Sequence, residues 1–146
     1  MTTLASIKIG FRSINGGASK IISDMLQVGW HLDDHGGISY LPIGDNDMFD
    51  WSEMPLSGKE ELFHLIGVKE KANELVGVVL LWKDSHVGVQ VLISNGLVRF
   101  LPTVNRRVLE GKLEISDVSW YLATLIPPLV DGGLVIDYVE WREELD

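Results

Sequence analysis

Three carboxylates fall within six positions of "YLPIGDNDMFDW" (40–51): Asp45, Asp47 and Asp50, interleaved with Met48, Phe49 and Trp51 and accompanied by no Lys or Arg. Acids so spaced suit a cation site, general acid and base work, or contact with a positive partner. The opening "DND" begins like an EF-hand loop, which needs oxygen ligands at positions 1, 3, 5 and 12 and glycine at 6. Counted from Asp45, position 5 is Phe49, position 6 is Asp50 and position 12 is Leu56, so three requirements fail. A looser cation site on Asp45, Asp47 and Asp50 is the basis of one alternative, a small metal-dependent hydrolase.

Other chemistry finds less support. The histidines are His31, His35, His64 and His86, and the chain has no cysteine. His31 and His35 sit in a β-prone stretch followed by glycines, so the helical spacing of a zinc HExxH site is absent. Asp33 and Asp34 lie in "DDHGG", where Asp is favoured for local turn reasons. No G-x-S-x-G is present, since Ser6, Ser13, Ser39 and Ser94 stand in other contexts. "INGGASK" (14–20) could hold an anion on helix amides, but it lacks the P-loop and G-x-G-x-x-G spacings, so a glycine turn is the simpler reading. No catalytic constellation emerges, and the expectation is a non-enzymatic protein with no metal and no cofactor.

Size and charge narrow the class. The 146 residues fit one domain, 1–146. The amino terminus lacks a signal-peptide pattern and the longest apolar run, "LVGVVLLW" (75–82), is far short of a membrane span, so a cytoplasmic protein is expected. The net charge of -9 is unevenly spread: residues 21–58 carry seven acids and no base, and residues 113–146 eight acids and one base. That pattern disfavours nucleic acid and membranes as partners and favours something basic. Solubility alone also produces acidic chains.

The elements that must position these residues follow from period and punctuation. Residues 4–12 read as a strand and 16–29 as a helix burying Ile21, Ile22, Met25 and Leu26. Residues 30–43 read as a hairpin around "DDHGG", and 44–57 as a loop. A helix over 57–74 takes Ser57 as cap with Glu60 completing a capping box, buries Leu62, Phe63 and Ile66, and is open to a break at Gly67. Strands at 75–83, 86–94 and 97–102 form a meander joined by "DS" and "NG", with Val76–Leu81 central and covered on both faces. A helix from Ser116 to about Ile126 ends at Pro127–Pro128, and 133–144 is a last strand with Val135, Asp137, Val139 and Trp141 on one face. The fold class is α+β, a mainly antiparallel sheet of about six strands with two to three helices packed on it.

The remaining use for the acids is recognition. Interfaces gain most from a few aromatic anchors ringed by polar contacts. The candidate partner-binding residues are Asp33, Asp34, Asp45, Asp47, Asp50 and Glu53, with Phe49 and Trp51 structuring the loop; Glu140, Glu143 and Glu144 are a second acidic candidate. An adaptor or homodimeric regulator is a further reading. The order "DMLQVGWHLDDHGGISYLPIGDNDMFDW" (24–51) resembles immunity proteins of bacterial contact-dependent growth inhibition systems. The resemblance implies a cytosolic protein that binds the cognate carboxy-terminal toxin domain of a sister cell in a 1:1 complex. Many such toxins are basic RNases or other nucleases, whose active site or substrate groove an acidic inhibitor would occlude.

Overall fold

Runs of β-branched residues place the middle of the sheet, and glycine turns place its reversals. A computed structural model describes residues 3–13, 16–111 and 114–145. Strand β1 (Thr3–Ser13) leads through helix α1 (Gly17–Gln27) to short strands β2 (Trp30–His31), β3 (Gly37–Tyr40) and β4 (Ser52–Pro55). A 3-10 turn, Leu56–Gly58, enters α2 (Lys59–Lys71); the meander β5 (Val76–Trp82), β6 (Gly88–Ser94) and β7 (Leu97–Val104) follows, and α3 (Val118–Asp131) precedes β8 (Val135–Leu145). The sheet order is β4-β3-β5-β6-β7-β1-β8, with β2 paired to β5 off this path. The expected α+β domain is found, with eight strands rather than about six and three helices. None of these helices is long and apolar enough to cross a membrane.

The core lies between one sheet face and the helices. Ile7, Ile9, Val78, Leu80, Val89, Val91, Val98 and Phe100 meet Ile21, Ile22 and Met25 of α1, Leu62 and Ile66 of α2, and Tyr121, Leu125 and Leu129 of α3. Each fully buried Ile, Leu or Phe contributes about 1.5–3 kcal/mol relative to exposure. Strand β5 is buried on both faces, as its unbroken apolar run requires: Val79 and Leu81 point away from the helices, and Leu41 folds over Gly77 where a Cβ would stand.

Several boundaries depart from the sequence pattern for identifiable reasons. Strands β2 and β3 do not form a hairpin. Both run antiparallel to β5, so they share one direction and the turn between them is a detour within an interrupted strand. Part of the expected 44–57 loop is β4, which pairs with β3 through Ile38↔Met54 and Tyr40↔Ser52. Four residues ending in proline are too short to show alternation, and an edge strand tolerates that proline. Ser57 does not cap α2, because it lies inside the 3-10 turn and Gly58 takes the cap position without a side-chain bond; the helix then passes Gly67 unbroken.

Helix α3 starts at Val118 rather than Ser116 and is capped by Asp117, whose Oδ1 accepts the Trp120 N–H at 3.3 Å. It also continues through Pro127 and Pro128. The prolines leave the carbonyls one turn earlier without intrahelical donors. Trp30 Nε1–H donates to the Thr124 carbonyl at 3.4 Å, while Ala123 is exposed to water. In β8 the register against β1 shifts between Tyr138 and Ile136, so Ile136 faces the core in place of Val135 and Asp137, which are exposed.

Helix α2 supplies the anion at the amino terminus of α1. The Ala18 N–H donates to Glu70 Oε2 of α2 at 2.9 Å. This satisfies one of the unpaired amides that every helix start presents. Residues 14 and 15 of "INGGASK" lie outside the described residues, but Gly16 and Gly17 show the need for glycine, with φ of 96° and 64°. A Cβ on Gly17 would stand 2.5 Å from Glu70 Oε2. Gly17→Ala is therefore expected to lower stability by about 1–2 kcal/mol. Gly67→Ala, in an open helical position, should raise it by about 0.5–1 kcal/mol. Urea midpoints of the two variants check both signs.

Candidate protein interface

The β3–β4 unit gathers the expected acidic residues at one edge of the sheet. Asp33 and Asp34 lie in the turn before β3, Asp45, Asp47 and Asp50 in the loop between β3 and β4, and Glu53 on β4 itself, opposite Ser39. Asp33 Oδ1 accepts the Gly36 N–H at 2.9 Å, which closes the turn around His35 and Gly36, both at positive φ. Asp34 accepts the Ser39 hydroxyl at 2.7 Å and pairs with His35. The Glu53 side chain lies across Gly37, where any side chain would collide with it. His31 accepts the Asp33 N–H on Nδ1, so its Nε2–H donates to the Lys83 carbonyl at 2.7 Å.

The 44–51 loop is held by ions rather than by aromatics. Asp45 is only 9 % exposed. Its two carboxylate oxygens accept the Phe49 and Asp50 N–H groups at 3.0 and 2.9 Å, folding the chain back on itself. Asn46, Asp47 and Phe49 are consequently left-handed, with φ of 52°, 58° and 55°. Asn and Asp tolerate that region, whereas a bulky Phe does so only under constraint. The Gly44 N–H donates to Glu74 Oε1 at 2.6 Å.

Beneath the loop lies a cation. Lys69 of α2 is 1 % exposed, and its ammonium donates to the Leu41 and Pro42 carbonyls at 2.9 and 3.0 Å. Its pKa is lowered, because burial outweighs the attraction of Glu74, Asp45 and Asp47. A cleft of about 130 Å³ between loop and helix is lined by Asp45, Asn46, Asp47, Lys69, Asn73 and Glu74. Sequence reasoning missed Lys69, although its place was readable: it follows Leu62 and Ile66 on the inward phase of α2, where an apolar residue belongs.

The expected roles are thereby redistributed. Neither Phe49, at 48 % exposure, nor Trp51, half-buried, joins the core cluster, so the expected pinning of the loop by a buried aromatic is replaced by Asp45 and Lys69. Asp47, Asp50 and Glu53 are exposed, beside Ile43, Met48 and Leu56, and Met48 reaches 76 % exposure. Among the carboxy-terminal acids, Glu143 is committed inward. Its carboxylate accepts the Ser116 N–H and hydroxyl at 2.9 and 3.0 Å and pairs with Arg106. Among the described residues no group of three or more His, Asp or Glu side chains is placed to hold a metal ion.

The chain matches no protein-family model, and no curated protein or solved structure matches it significantly.

Removing a loop-forming acid and removing an exposed one should differ sharply. Asp45→Ala leaves two N–H groups without their acceptor and should cost about 1–3 kcal/mol, whereas Asp47→Asn, which keeps a residue tolerant of the left-handed backbone, and Asp50→Ala should stay within about 0.5 kcal/mol. Lys69→Met, which leaves two carbonyls without their donor, should cost about 1–3 kcal/mol. Chemical denaturation measures all four variants.

The pH dependence of that lysine has a definite sign. Its folded pKa lies below the ordinary 10.5, so the unfolded chain binds more protons in the window between the two values. Below the window the buried charge opposes folding; as pH rises through it, that opposition is relieved. The stability of the native protein relative to Lys69→Met is expected to increase across this window, measured from denaturation midpoints at matched pH.

Proposed function

We propose that the protein is a cytosolic immunity protein of the contact-dependent growth inhibition type. It neutralises a basic toxin nuclease, an RNase in the first instance, by stoichiometric binding through the β3–β4 edge. The observation that carries this reading is the rigid acidic loop: Asp47, Asp50 and Glu53 are exposed around Met48 and Phe49, while Asp45, Glu74 and Lys69 hold the backbone that presents them.

Such a surface is suited to a nuclease. A nuclease groove is positive because it must neutralise phosphates, and acids presented from a fixed backbone steer association and exclude uncharged partners. Preorganisation matters because each side chain or loop ordered on binding lowers affinity. The left-handed Phe49 and the exposed Met48 supply apolar contact between the charges, the composition expected of an anchor region. The resemblance of residues 24–51 to immunity proteins covers this same unit, from the end of α1 to the end of the acidic loop.

Co-expression with the toxin domain encoded beside it is expected to restore growth, and absence of binding between the two purified proteins would refute the proposal. In a surface-binding measurement, Asp47→Lys with Asp50→Lys should slow association by about tenfold at low ionic strength, with the difference shrinking as salt is added. Met48→Ala and Phe49→Ala should act chiefly on dissociation. Unchanged kinetics in every variant would move the interface off this edge.

A further inference from the structure

The two edges of the sheet are unlike. Edge strand β4 offers four residues and ends in Pro55, a blunted edge. The opposite edge strand, β8, offers eleven residues, and positions 135–145 contain neither Lys nor Pro. Among the described residues no strand pairs beyond it. Val135, Tyr138, Val139 and Leu145 are exposed along it. A long edge with exposed apolar side chains is a template for another strand.

The charge pattern of β8 specifies which strand. Glu140, Arg142 and Glu144 alternate on the sheet face away from the helices. Arg142 pairs with Glu144 at 2.6 Å, and Glu140 has no ion pair among the described residues. We propose that β8 pairs antiparallel with β8 of a second copy about a two-fold axis at Trp141, continuing the sheet across two chains.

That register sets Glu140 opposite Arg142 of the second copy, and Arg142 opposite its Glu140, two reciprocal ion pairs with no like charges facing; an axis at Glu143 would also pair Arg142 with Glu144 but would set two Glu143 carboxylates against each other. Moving the axis to Glu140 would place that carboxylate against its own copy. Moving it to Arg142 would oppose two arginines and set Glu140 against Glu144. Like charges directly opposite one another destabilise a strand pair. The backbone favours the same axis: β8 is in regular register with β1 from Leu145 to Tyr138, and the shift comes only beyond. The contact is isologous and closes on itself. It leaves the acidic β4 edges pointing outward at both ends, so it stands or falls separately from the toxin-binding reading.

Sedimentation equilibrium of the full chain tests the pairing. The native protein should reach twice the chain mass in a concentration-dependent equilibrium. Glu140→Arg and Arg142→Glu each make two facing pairs repulsive and should raise the dimer dissociation constant about tenfold. The double variant restores opposite charges and should return close to the native value. Glu140 stands beside Lys8 on β1, so Arg142→Glu provides a second single variant away from that lysine, and far-UV circular dichroism should match the native spectrum. A native protein that stays monomeric at its highest soluble concentration would overturn the proposal. So would single variants that dimerise as the native chain does, or a double variant as weak as the singles.

Discussion

A buried ammonium group organises the acidic edge of this protein. Lys69 reaches from α2 to the Leu41 and Pro42 carbonyls, where the chain leaves β3. Those carbonyls would otherwise lack donors in a part-buried setting. The same charge lies close enough to Asp45, Asp47 and Glu74 to be felt by each, yet burial still dominates its pKa. Burying a charge is costly unless hydrogen bonds and counter-charges surround it, and Lys69 has both. The chain beyond Pro42 therefore starts from a backbone position fixed jointly by Lys69 and by the Leu41 N–H bond to the Gly77 carbonyl.

The acids of the chain do two kinds of work. Asp45, Glu70, Glu74 and Glu143 accept backbone N–H groups that no regular element satisfies: a loop, a helix start, a glycine bend and the segment before α3. Asp47, Asp50 and Glu53 are exposed at the same edge of the sheet as Asp45. The oxygens of the committed acids are occupied, so close contact with a partner falls to the exposed group.

The placement of helices makes the sheet asymmetric. All three pack on one face, and there an aromatic series of Trp30, Trp82, Trp120, Tyr121 and Trp141 runs with neighbouring rings 5.0–6.4 Å apart. Tilted and edge-on rings at such spacing add to what burial alone supplies. On the far face Leu41 folds over Gly77 of β5, and toward β8 that face carries Lys8, Arg99, Arg142, Glu140 and Glu144 around a groove of about 360 Å³. Lys8 and Arg99 stand directly opposite one another there, tolerable for a solvated pair with Glu140 alongside.

Local pattern was enough to read the parts of the fold whose period is long or whose turns are chemically explicit. The β5–β6–β7 meander with its Asn95-Gly96 turn, the apolar stripe of α1 and the two-sided burial of β5 all follow from neighbours in sequence. So did the acidity of residues 21–58 and its concentration around Asp45–Asp50. Long-range contacts decided the rest. Whether β2 and β3 form a hairpin depends on β5, and where α3 runs through Pro127–Pro128 the Trp30 indole meets the freed Thr124 carbonyl. Asp45 and Asp47 look interchangeable in "GDNDMFDW", yet one is buried as a loop clasp and the other exposed. The difference lies in how the chain folds back so that the Phe49 and Asp50 N–H groups reach the Asp45 carboxylate, a geometry in space that sequence spacing does not encode.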